Sequence, residues 1–186
     1  MSEGFLTNQF LVAMPAMSDE NFFQTVTFIW EHNADGALGI IINRPLQMRL
    51  ADVFEQLQMP MSAGVFGREP VLQGGPVQTD RGFVVHHVGG AWEHSRKVSE
   101  RLQVTTSPDI LDAMARGAGP ETALVALGYA GWSAGQLEIE LAQNAWLTVP
   151  CDERILFDTP FEDRWHAAGR LLGVDVAKIS PHAGHA

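Results

Sequence analysis

The chain has 186 residues, and its 22 acidic side chains outnumber its 12 lysines and arginines, so the formal net charge is −10. Hydrophobic residues make up 46% of the chain and charged residues 18%, a composition that supplies a sizeable core and excludes a disordered chain. The negative charge argues against sequence-independent binding of nucleic acids, because that affinity comes from basic side chains that neutralise phosphates. The only adjacent basic residues are Arg96 and Lys97.

The cysteine content indicates the compartment. With one cysteine, Cys151, the chain can form no intramolecular disulfide and no cysteine-rich zinc site. Residues 122–137 carry no charged side chain, but this stretch is too short and too rich in glycine to cross a membrane. We therefore expect a protein of the reducing cytoplasm with no membrane-spanning segment.

The first part of the chain has the pattern of β-strands. The apolar run at 10–14 ends at a proline and predicts a buried strand. Residues 25–32 are rich in β-branched and aromatic side chains and predict a second strand, and 38–43 predict a third. The residues between them, 33–36, favour a tight turn, so this region is predicted to form a β-hairpin.

The middle of the chain mixes helices and strands. Leu50, Val53, Phe54 and Leu57 recur at helical spacing, which predicts a short helix after Pro45. Strands are predicted at 71–73, 82–88 and 102–106, and a helix is predicted to start at Ser107–Asp109 and to end at Gly117.

The strand predicted at 122–129 is the most hydrophobic in the chain, and we expect it at the centre of the sheet, covered on both faces. Residues 136–141 fit strand alternation and helical spacing equally, so periodicity leaves their structure open. A further strand is predicted at 145–149, and a helix at 160–172. The apolar stripe of that helix comprises Phe161, Trp165, Ala168 and Leu172.

These elements predict an α+β fold with a mixed sheet, because the early hairpin is antiparallel and strands do not alternate steadily with helices. No linker separates independent units, so we expect a single domain over residues 1–186. The tail at 180–186 is expected to be mobile.

One segment has the pattern of a hydrolase. Gly131–Gly135 matches the G-x-S-x-G motif, in which the serine lies on a sharp turn between a strand and a helix. Ser133 would be the nucleophile, with Asp158 or Asp163 and His166 as partners. Few residues follow Ser133 to carry an acid and a base, and glycine-rich segments match this motif by chance. A small serine hydrolase is therefore the alternative hypothesis.

The histidines and carboxylates give no metal signature. His86 and His87 are adjacent on a predicted strand, so we expect their side chains on opposite faces. Glu138 and Glu140 are interpreted as a solvated acidic face. No metal ligand set is predicted.

The thiol of Cys151 has an unfavourable setting for redox chemistry. Asp152 and Glu153 follow it directly, and their negative charge would raise its pKa. We therefore expect neither a redox role nor a cofactor.

Two segments have features of a ligand site. Gly74 and Gly75 lack the lysine and spacing of a phosphate-binding loop, which favours a structural turn, although glycine also permits a ligand to approach backbone amides. Arg44 follows a predicted strand, where it could bind an anion in bidentate fashion or pair with an acidic residue.

Several motifs, taken in order, resemble those of the YqgE/AlgH family of bacterial proteins. The matching stretches are residues 10–15, 31–33, 39–45, 74–77, 80–83, 105–107, 128–132, 135–138, 144–147, 164–165 and 183–186. Because they cover nearly the whole chain, it is identified as a member of that family.

The resemblance implies a compact α+β fold with a small barrel-like sheet flanked by helices, and a bacterial cytoplasmic location. It implies no established catalytic activity. One branch of the family is associated with regulation of alginate synthesis, so members are often labelled transcriptional regulators. By analogy the resemblance favours a helix at 136–143. Ser133 and Cys151 fall outside the family pattern, which weakens the hydrolase hypothesis.

We therefore predict a non-enzymatic binding or regulatory protein that acts indirectly on gene expression through a protein or small-molecule partner, without direct binding to nucleic acid or membrane. The predicted binding surface comprises Asn43, Arg44, Gly74, Gly75, Trp132, Gln136 and Glu138. Two interpretations of Trp132 stay open, namely an aromatic surface beside backbone amides and a residue packed in the core.

Overall fold

The computed structural model describes residues 4–63, 65 and 67–179, which form ten strands and five α-helices. The strands are β1 (Gln9–Ala13), β2 (Val26–Asn33), β3 (Gly36–Ile41), β4 (Pro45–Arg49), β5 (Pro70–Gln73), β6 (Val77–His87), β7 (Ser95–Lys97), β8 (Leu102–Thr105), β9 (Ala123–Ser133) and β10 (Trp146–Pro150). The helices are α1 (Leu50–Gln56), α2 (Asp109–Ala115), α3 (Gln136–Ala142), α4 (Glu153–Phe157) and α5 (Arg164–Arg170).

The strands form one curled, half-barrel sheet. Its main path runs β10-β1-β2-β3-β9-β6-β8-β7, and β5 joins it beside β9 with β4 at its outer side. The pairing of β5 with β9 is parallel, whereas the other pairs of neighbouring strands are antiparallel. The sheet is therefore mixed, and the predicted α+β fold with a partly barrel-like sheet flanked by helices is confirmed.

The predicted hairpin is confirmed as β2 and β3. The strands pair from Thr27 opposite Ile41 to Asn33 opposite Gly36. The Asn33 side chain closes the turn, because its Oδ1 accepts a hydrogen bond of 2.8 Å from the Asp35 amide. This is the local chemistry for which asparagine is favoured in turns.

Strand β9 lies at the centre of the sheet, as its hydrophobicity predicted. It pairs with β3, β5 and β6. Its side chains alternate between faces until Gly128, whose φ of +79° shifts the alternation by one residue. Leu124 packs on the first face, Val125 and Trp132 pack on the second, and Tyr129 returns to the first.

Three hydrophobic clusters cover the two faces. The first, here called the α4–α5 cluster, contains Phe10, Phe28, Phe83, Leu156 and Trp165. The α1–α2 cluster contains Leu50, Phe54, Val84, Ile110 and Val125 on the opposite face. The α3 cluster contains Leu11, Ile29, Trp132, Leu137 and Trp146. The helices are too short to be stable on their own, so apolar contact with the sheet stabilises them.

Some elements differ from the sequence prediction. The helix predicted at 160–172 is shorter, because residues 161–163 form a 3₁₀ turn and the helix proper is α5. Leu172, predicted to lie in its apolar stripe, is 46% exposed. Strands β4 and β7 and helix α4 are additional elements. The helix at 136–142 agrees with the family resemblance.

Two further expectations concern the ends and the membrane. The tail predicted to be mobile, 180–186, lies outside the described residues. Among the helices that the structure describes, none is long and apolar enough to cross a membrane.

Candidate functional site

The predicted residue Trp132 lies at the junction of β9 and α3, and it is buried. Its indole Nε1 donates a hydrogen bond of 3.2 Å to Glu140 Oε1, and Trp146 Nε1 donates one of 3.0 Å to the same oxygen. Gln136 donates to the second carboxylate oxygen of Glu140 at 2.9 Å. Glu140 is therefore a structural acceptor for two core tryptophans. The carboxylate interpreted as part of a solvated acidic face is half-buried, and it also serves as an acceptor for the α3 cluster.

Glu138 also has a specific partner. His32 is buried on β2, and its Nε2 lies 2.6 Å from Glu138 Oε1. The amide of Leu6 donates to His32 Nδ1 at 2.9 Å, so Nδ1 carries no hydrogen and Nε2 must be the donor to the carboxylate. The hydrogen bond to His32 contributes to lowering the pKa of Glu138, alongside a larger backbone contribution.

The motif around Ser133 does not assemble a triad. The serine lies on the predicted turn between a strand and a helix, but its Oγ donates to Gln136 Oε1 at 3.2 Å. The same oxygen accepts from the Ser133 amide at 3.0 Å. Gln136 therefore closes the start of α3, and among the described residues no histidine makes a hydrogen bond with the Ser133 hydroxyl that could activate it as a nucleophile.

Asn43 and Arg44, which follow β3, hold the loop at residues 14–25. Asn43 Oδ1 accepts from the Val26 amide at 2.9 Å, and its Nδ2 donates to the Gln24 carbonyl at 2.9 Å. Arg44 donates to the Asn21 carbonyl at 2.7 Å and to the Phe23 carbonyl at 3.0 Å. Burial lowers the pKa of Arg44, and Asp19 opposes that effect.

Gly74 and Gly75 permit a close crossing of two chain segments. A Cβ at Gly74 would collide with the carbonyl oxygen of Gly128, and one at Gly75 would collide with the backbone of Tyr129. The structure thus gives both glycines a packing role beside β9.

The predicted surface residues form two groups. Trp132, Gln136 and Glu138 lie at the β9–α3 junction, whereas Asn43, Arg44, Gly74 and Gly75 lie where β3 and β5 end. The two groups meet through the loop at 14–25, because Phe22 packs 6.0 Å from Trp132, between ring centroids, while Arg44 holds the residues on either side of Phe22. Ligand or partner binding at these residues stays a prediction.

A cavity lies away from these residues, at the start of β9. It is a cleft of about 840 Å³ between the α1–α2 side of the sheet and the α4–α5 side. Apolar side chains form much of its wall, and these include Leu50, Leu124, Val125, Phe157 and Phe161. The wall also carries charged and polar side chains, which are Glu69, Arg116, Glu121, Thr122, Asp158 and Arg164. A cleft of this size that combines apolar surface with polar groups suits a small molecule.

Arg164 lies in the wall of this cleft and is 2% exposed. Its Nε donates to the Thr159 carbonyl at 2.8 Å, and its Nη1 donates to the Ile42 carbonyl at 2.7 Å. The guanidinium carbon lies 4.4 Å from the centroid of the Phe161 ring, a cation–π contact. Within the described residues, no hydrogen bond is made by its third nitrogen, Nη2.

The charged side chains around the cleft differ in their burial. Burial lowers the pKa of Arg164 to about 10, and the charge of Asp158 acts in the opposite direction. Arg164 therefore remains a cation at neutral pH. The acidic residues Glu69, Glu121 and Asp158 also line the cleft, but they are exposed to solvent. The buried charge of the cleft is thus positive, whereas its exposed rim carries three carboxylates and one cation, Arg116, which pairs with Asp112.

The sequence prediction did not single out Arg164 as a site residue, and only the family motif Arg164–Trp165 included it. A signal was present in the spacing, because Phe161 and Arg164 are three positions apart at the start of a helix. That spacing is too common to predict a buried guanidinium.

The other titratable groups give no metal site. Within the described ranges, no three histidine, cysteine or carboxylate side chains lie close enough together to hold an ion. His86 and His87 do point to opposite sides: His86 is buried against Thr105 at 2.7 Å, whereas His87 pairs with Glu153. Desolvation lowers the pKa of His86.

The thiol of Cys151 behaves as its neighbours predicted. Burial raises its pKa to about 12, and the charges of Glu153 and Asp152 add to that effect. The pKa of Glu153 itself is lowered to about 2, chiefly by a hydrogen bond from Arg101. This corner of the molecule is an ion-paired surface, formed by Glu153 with Arg101 and His87.

Comparison with known proteins identifies the family. The family model described as AlgH-like, DUF179, matches residues 10–177. A UPF0301 protein from Thioalkalivibrio sulfidiphilus is 58% identical over 180 residues, which is 97% of this chain and 96% of that protein. One from Azoarcus sp. is 54% identical over 181 residues, with 97% and 96% covered. The chain therefore belongs to the AlgH-like family, as its motifs indicated.

Solved structures agree with this assignment. The solution structure of the AlgH protein from Pseudomonas aeruginosa matches with a TM-score of 0.81 and 50% identity, covering 100% of this chain and 98% of that one. A crystal structure of a Corynebacterium diphtheriae protein matches with a TM-score of 0.71 over 92% and 90% of the two chains. Its identity is 18%, so it shows the fold alone.

Proposed function

We propose that this protein is a non-enzymatic binding protein of the bacterial cytoplasm, which holds a small organic molecule in the cleft beside Arg164 and acts on gene expression indirectly through what it binds. The observation that carries the proposal is the cleft of about 840 Å³, which combines apolar side chains with one buried guanidinium. Sites of this composition bind the body of a ligand by apolar burial and orient it by the few polar groups.

Direct action on DNA is not favoured by the surface charge. The adjacent basic residues Arg96 and Lys97 are both engaged in ion pairs, Arg96 with Glu31 at 3.1 Å and Lys97 with Glu100 at 3.4 Å. The net charge of −10 repels a polyanion further. We expect no gel shift with duplex DNA at 50 mM salt, and a salt-sensitive shift would contradict this part of the proposal.

The serine hydrolase hypothesis is not favoured either. The hydroxyl of Ser133 donates a hydrogen bond to Gln136, and His166, the base of that hypothesis, lies on α5 and makes no hydrogen bond to Ser133 among the described residues. A fluorophosphonate probe is expected to leave Ser133 unlabelled. Labelling that disappears in the Ser133→Ala variant would restore the hydrolase hypothesis.

The binding proposal can be tested with a neutral apolar fluorophore, N-phenyl-1-naphthylamine, whose emission rises when it leaves water. Thr122 is half-buried in the cleft wall, so Thr122→Trp should fill the cleft. The matched control is Gln143→Trp, at an exposed position at the end of α3. We expect saturable binding to wild type and to the control, and at least tenfold weaker binding to Thr122→Trp. Equal binding by all three proteins would contradict the proposal.

A further inference from the structure

We infer that the cleft takes an organic carboxylate, a single negative charge on an apolar body, and that Arg164 Nη2 is the group that binds the charge. This inference rests on the proposed function and adds the chemical class of the ligand.

The guanidinium is fixed in place before any ligand arrives. Two of its nitrogens are held by the carbonyls of Thr159 and Ile42, and one face of the group is covered by Phe161. The remaining nitrogen, Nη2, has two N–H donors and no hydrogen-bond acceptor among the described residues. A fixed cationic donor loses little conformational entropy when it binds an anion.

The two carbonyls do not neutralise the buried charge. Asp158 is the acid whose charge acts on Arg164, but among the described residues the guanidinium of Arg164 donates hydrogen bonds to two carbonyls and to no carboxylate. A buried charge without an ionic partner is costly, and an anion in the cleft would reduce that cost. A carboxylate oxygen bound to Nη2 would supply this partner with a charge-assisted hydrogen bond.

The acidic rim decides between a carboxylate and a phosphate. Glu69, Glu121 and Asp158 all line the cleft, and each repels a second negative charge on the ligand. A phosphate monoester carries close to two charges at neutral pH, whereas a carboxylate carries one. The exposed rim is screened by solvent, so it opposes a monoanion weakly and a dianion more strongly.

The apolar wall decides between a bare anion and one with a hydrocarbon body. Leu124, Phe157 and Phe161 lie beside Arg164 in the cleft. A small inorganic anion would leave this apolar surface in water, whereas an aryl or alkyl chain would cover it. The geometry thus favours an amphipathic carboxylate.

The experiment compares three probes that share one body: 4-phenylbutyrate, its neutral amide 4-phenylbutanamide, and 4-phenylbutyl phosphate. Each is titrated into ¹⁵N-labelled protein at pH 7.5, and the Arg164 Nε–H resonance is followed by NMR. We expect the carboxylate to bind at least tenfold more tightly than the amide and more tightly than the phosphate, with a shift of the Arg164 resonance.

Two arginine variants identify the cation. Arg116 also lines the cleft, but it is exposed and pairs with Asp112 at 3.0 Å, so Arg116→Gln should keep the preference for carboxylate. Arg164→Lys, checked for folding by circular dichroism, should reduce the preference to threefold or less. Loss of the preference in Arg116→Gln alone would overturn the assignment to Arg164.

The failure of this inference can be separated from the failure of the proposed function. If the amide or the phosphate binds as tightly as the carboxylate, or the Arg164 resonance does not move, the inference is overturned while binding in the cleft stands. If none of the probes binds and the neutral fluorophore does not bind, both proposals are overturned.

Discussion

Arg164 and Ile42 lie 122 positions apart in the chain, and Arg164 Nη1 donates a hydrogen bond of 2.7 Å to the Ile42 carbonyl. This contact joins the start of α5 to the residue that directly follows β3, the second strand of the hairpin. It therefore fixes one wall of the cleft to the sheet, and it makes Arg164 important for stability as well as for the proposed binding.

Replacement of Arg164 should be costly. Arg164→Met would leave the Ile42 and Thr159 carbonyls without their charged donor and would remove the contact with Phe161. We expect the free energy of unfolding to fall by about 2–4 kcal/mol, measured by urea denaturation. Arg170→Met, at an exposed position of the same helix, should change it by less than about 0.5 kcal/mol. Equal effects at the two positions would contradict a structural role for the guanidinium.

The environment of Trp132 and Trp146 should depend on one acidic residue of α3, Glu140. Glu140→Leu removes the acceptor of Trp132 Nε1 and Trp146 Nε1, and we expect a loss of about 2 kcal/mol in unfolding free energy. The near-ultraviolet circular dichroism of the tryptophans should change with it. Gln143→Leu, exposed at the end of the same helix, serves as the control. Unchanged spectra in Glu140→Leu would rule out this acceptor role.

The tautomer of His32 is a prediction of the hydrogen-bond pattern. Because the Leu6 amide donates to Nδ1, the neutral ring should carry its hydrogen on Nε2 and donate it to Glu138. Long-range ¹H–¹⁵N correlation spectra distinguish the two tautomers. A hydrogen on Nδ1 would show that the segment at residues 5–8 is not held through this histidine in solution.

Stability in acid should depend on Glu153. Its pKa is lowered from 4.5 to about 2, chiefly by the hydrogen bond from Arg101. A carboxylate with a lowered folded-state pKa stabilises the fold above its ordinary pKa, and this contribution is lost as the pH falls from about 4.5 towards 2. Arg101→Gln should reduce the urea midpoint at pH 7, and the difference from wild type should shrink as the pH falls through that range.

The control for this pH dependence is Arg170→Gln, which removes a positive charge from an exposed position without touching Glu153. Its urea midpoints should follow those of wild type between pH 7 and pH 2.5. If Arg101→Gln also follows wild type throughout, Glu153 does not contribute to acid stability through Arg101.

Cys151 should be unreactive in the folded protein. With a pKa of about 12, almost no thiolate is present at pH 8, and the thiol is partly shielded by the α4–α5 cluster. Iodoacetamide at pH 8 should leave native protein unmodified by mass spectrometry and should modify the urea-unfolded protein once. Rapid stoichiometric labelling of the native protein would contradict the burial of this side chain.

The strands that could be predicted from the sequence are those whose buried residues form a recognisable apolar run. Strand β1 is buried from Phe10 to Ala13 and strand β9 from Leu124 to Ala126, so their apolar runs could be recognised without tertiary information. Strand β4 alternates between exposed and half-buried residues, and β7 consists of three exposed residues. Strand β4 forms by pairing with β5, and β7 forms by pairing with β8. No local sequence pattern specifies these partners.

Helix α4 could have been predicted. Asp152 caps it through a hydrogen bond from the Arg154 amide to its side chain, and an Asp before a short apolar run is a known helix start. As charges beside the Cys151 thiol, Asp152 and Glu153 have one role that their sequence position indicates. Their second role, at the start of a helix that packs on the sheet, was missed.

The candidate site could be predicted far less well than the fold. Surface residues such as Arg44 and Glu138 were chosen because their chemistry suits ligands, but both are engaged by groups distant in the chain. Arg164 was missed because burial of an arginine depends on carbonyls supplied by Ile42 and Thr159, and neither is visible in a local pattern. Which polar side chains are left with free donors is a property of the whole fold.

A map of backbone amide chemical shifts in wild-type protein, titrated with 4-phenylbutyrate, locates the binding site directly. We expect saturable shifts that cluster at residues 120–125 and 157–164, which include lining residues of the cleft. Shifts confined to α3 and the loop at 14–25, or no saturable shifts at all, would contradict binding in the cleft.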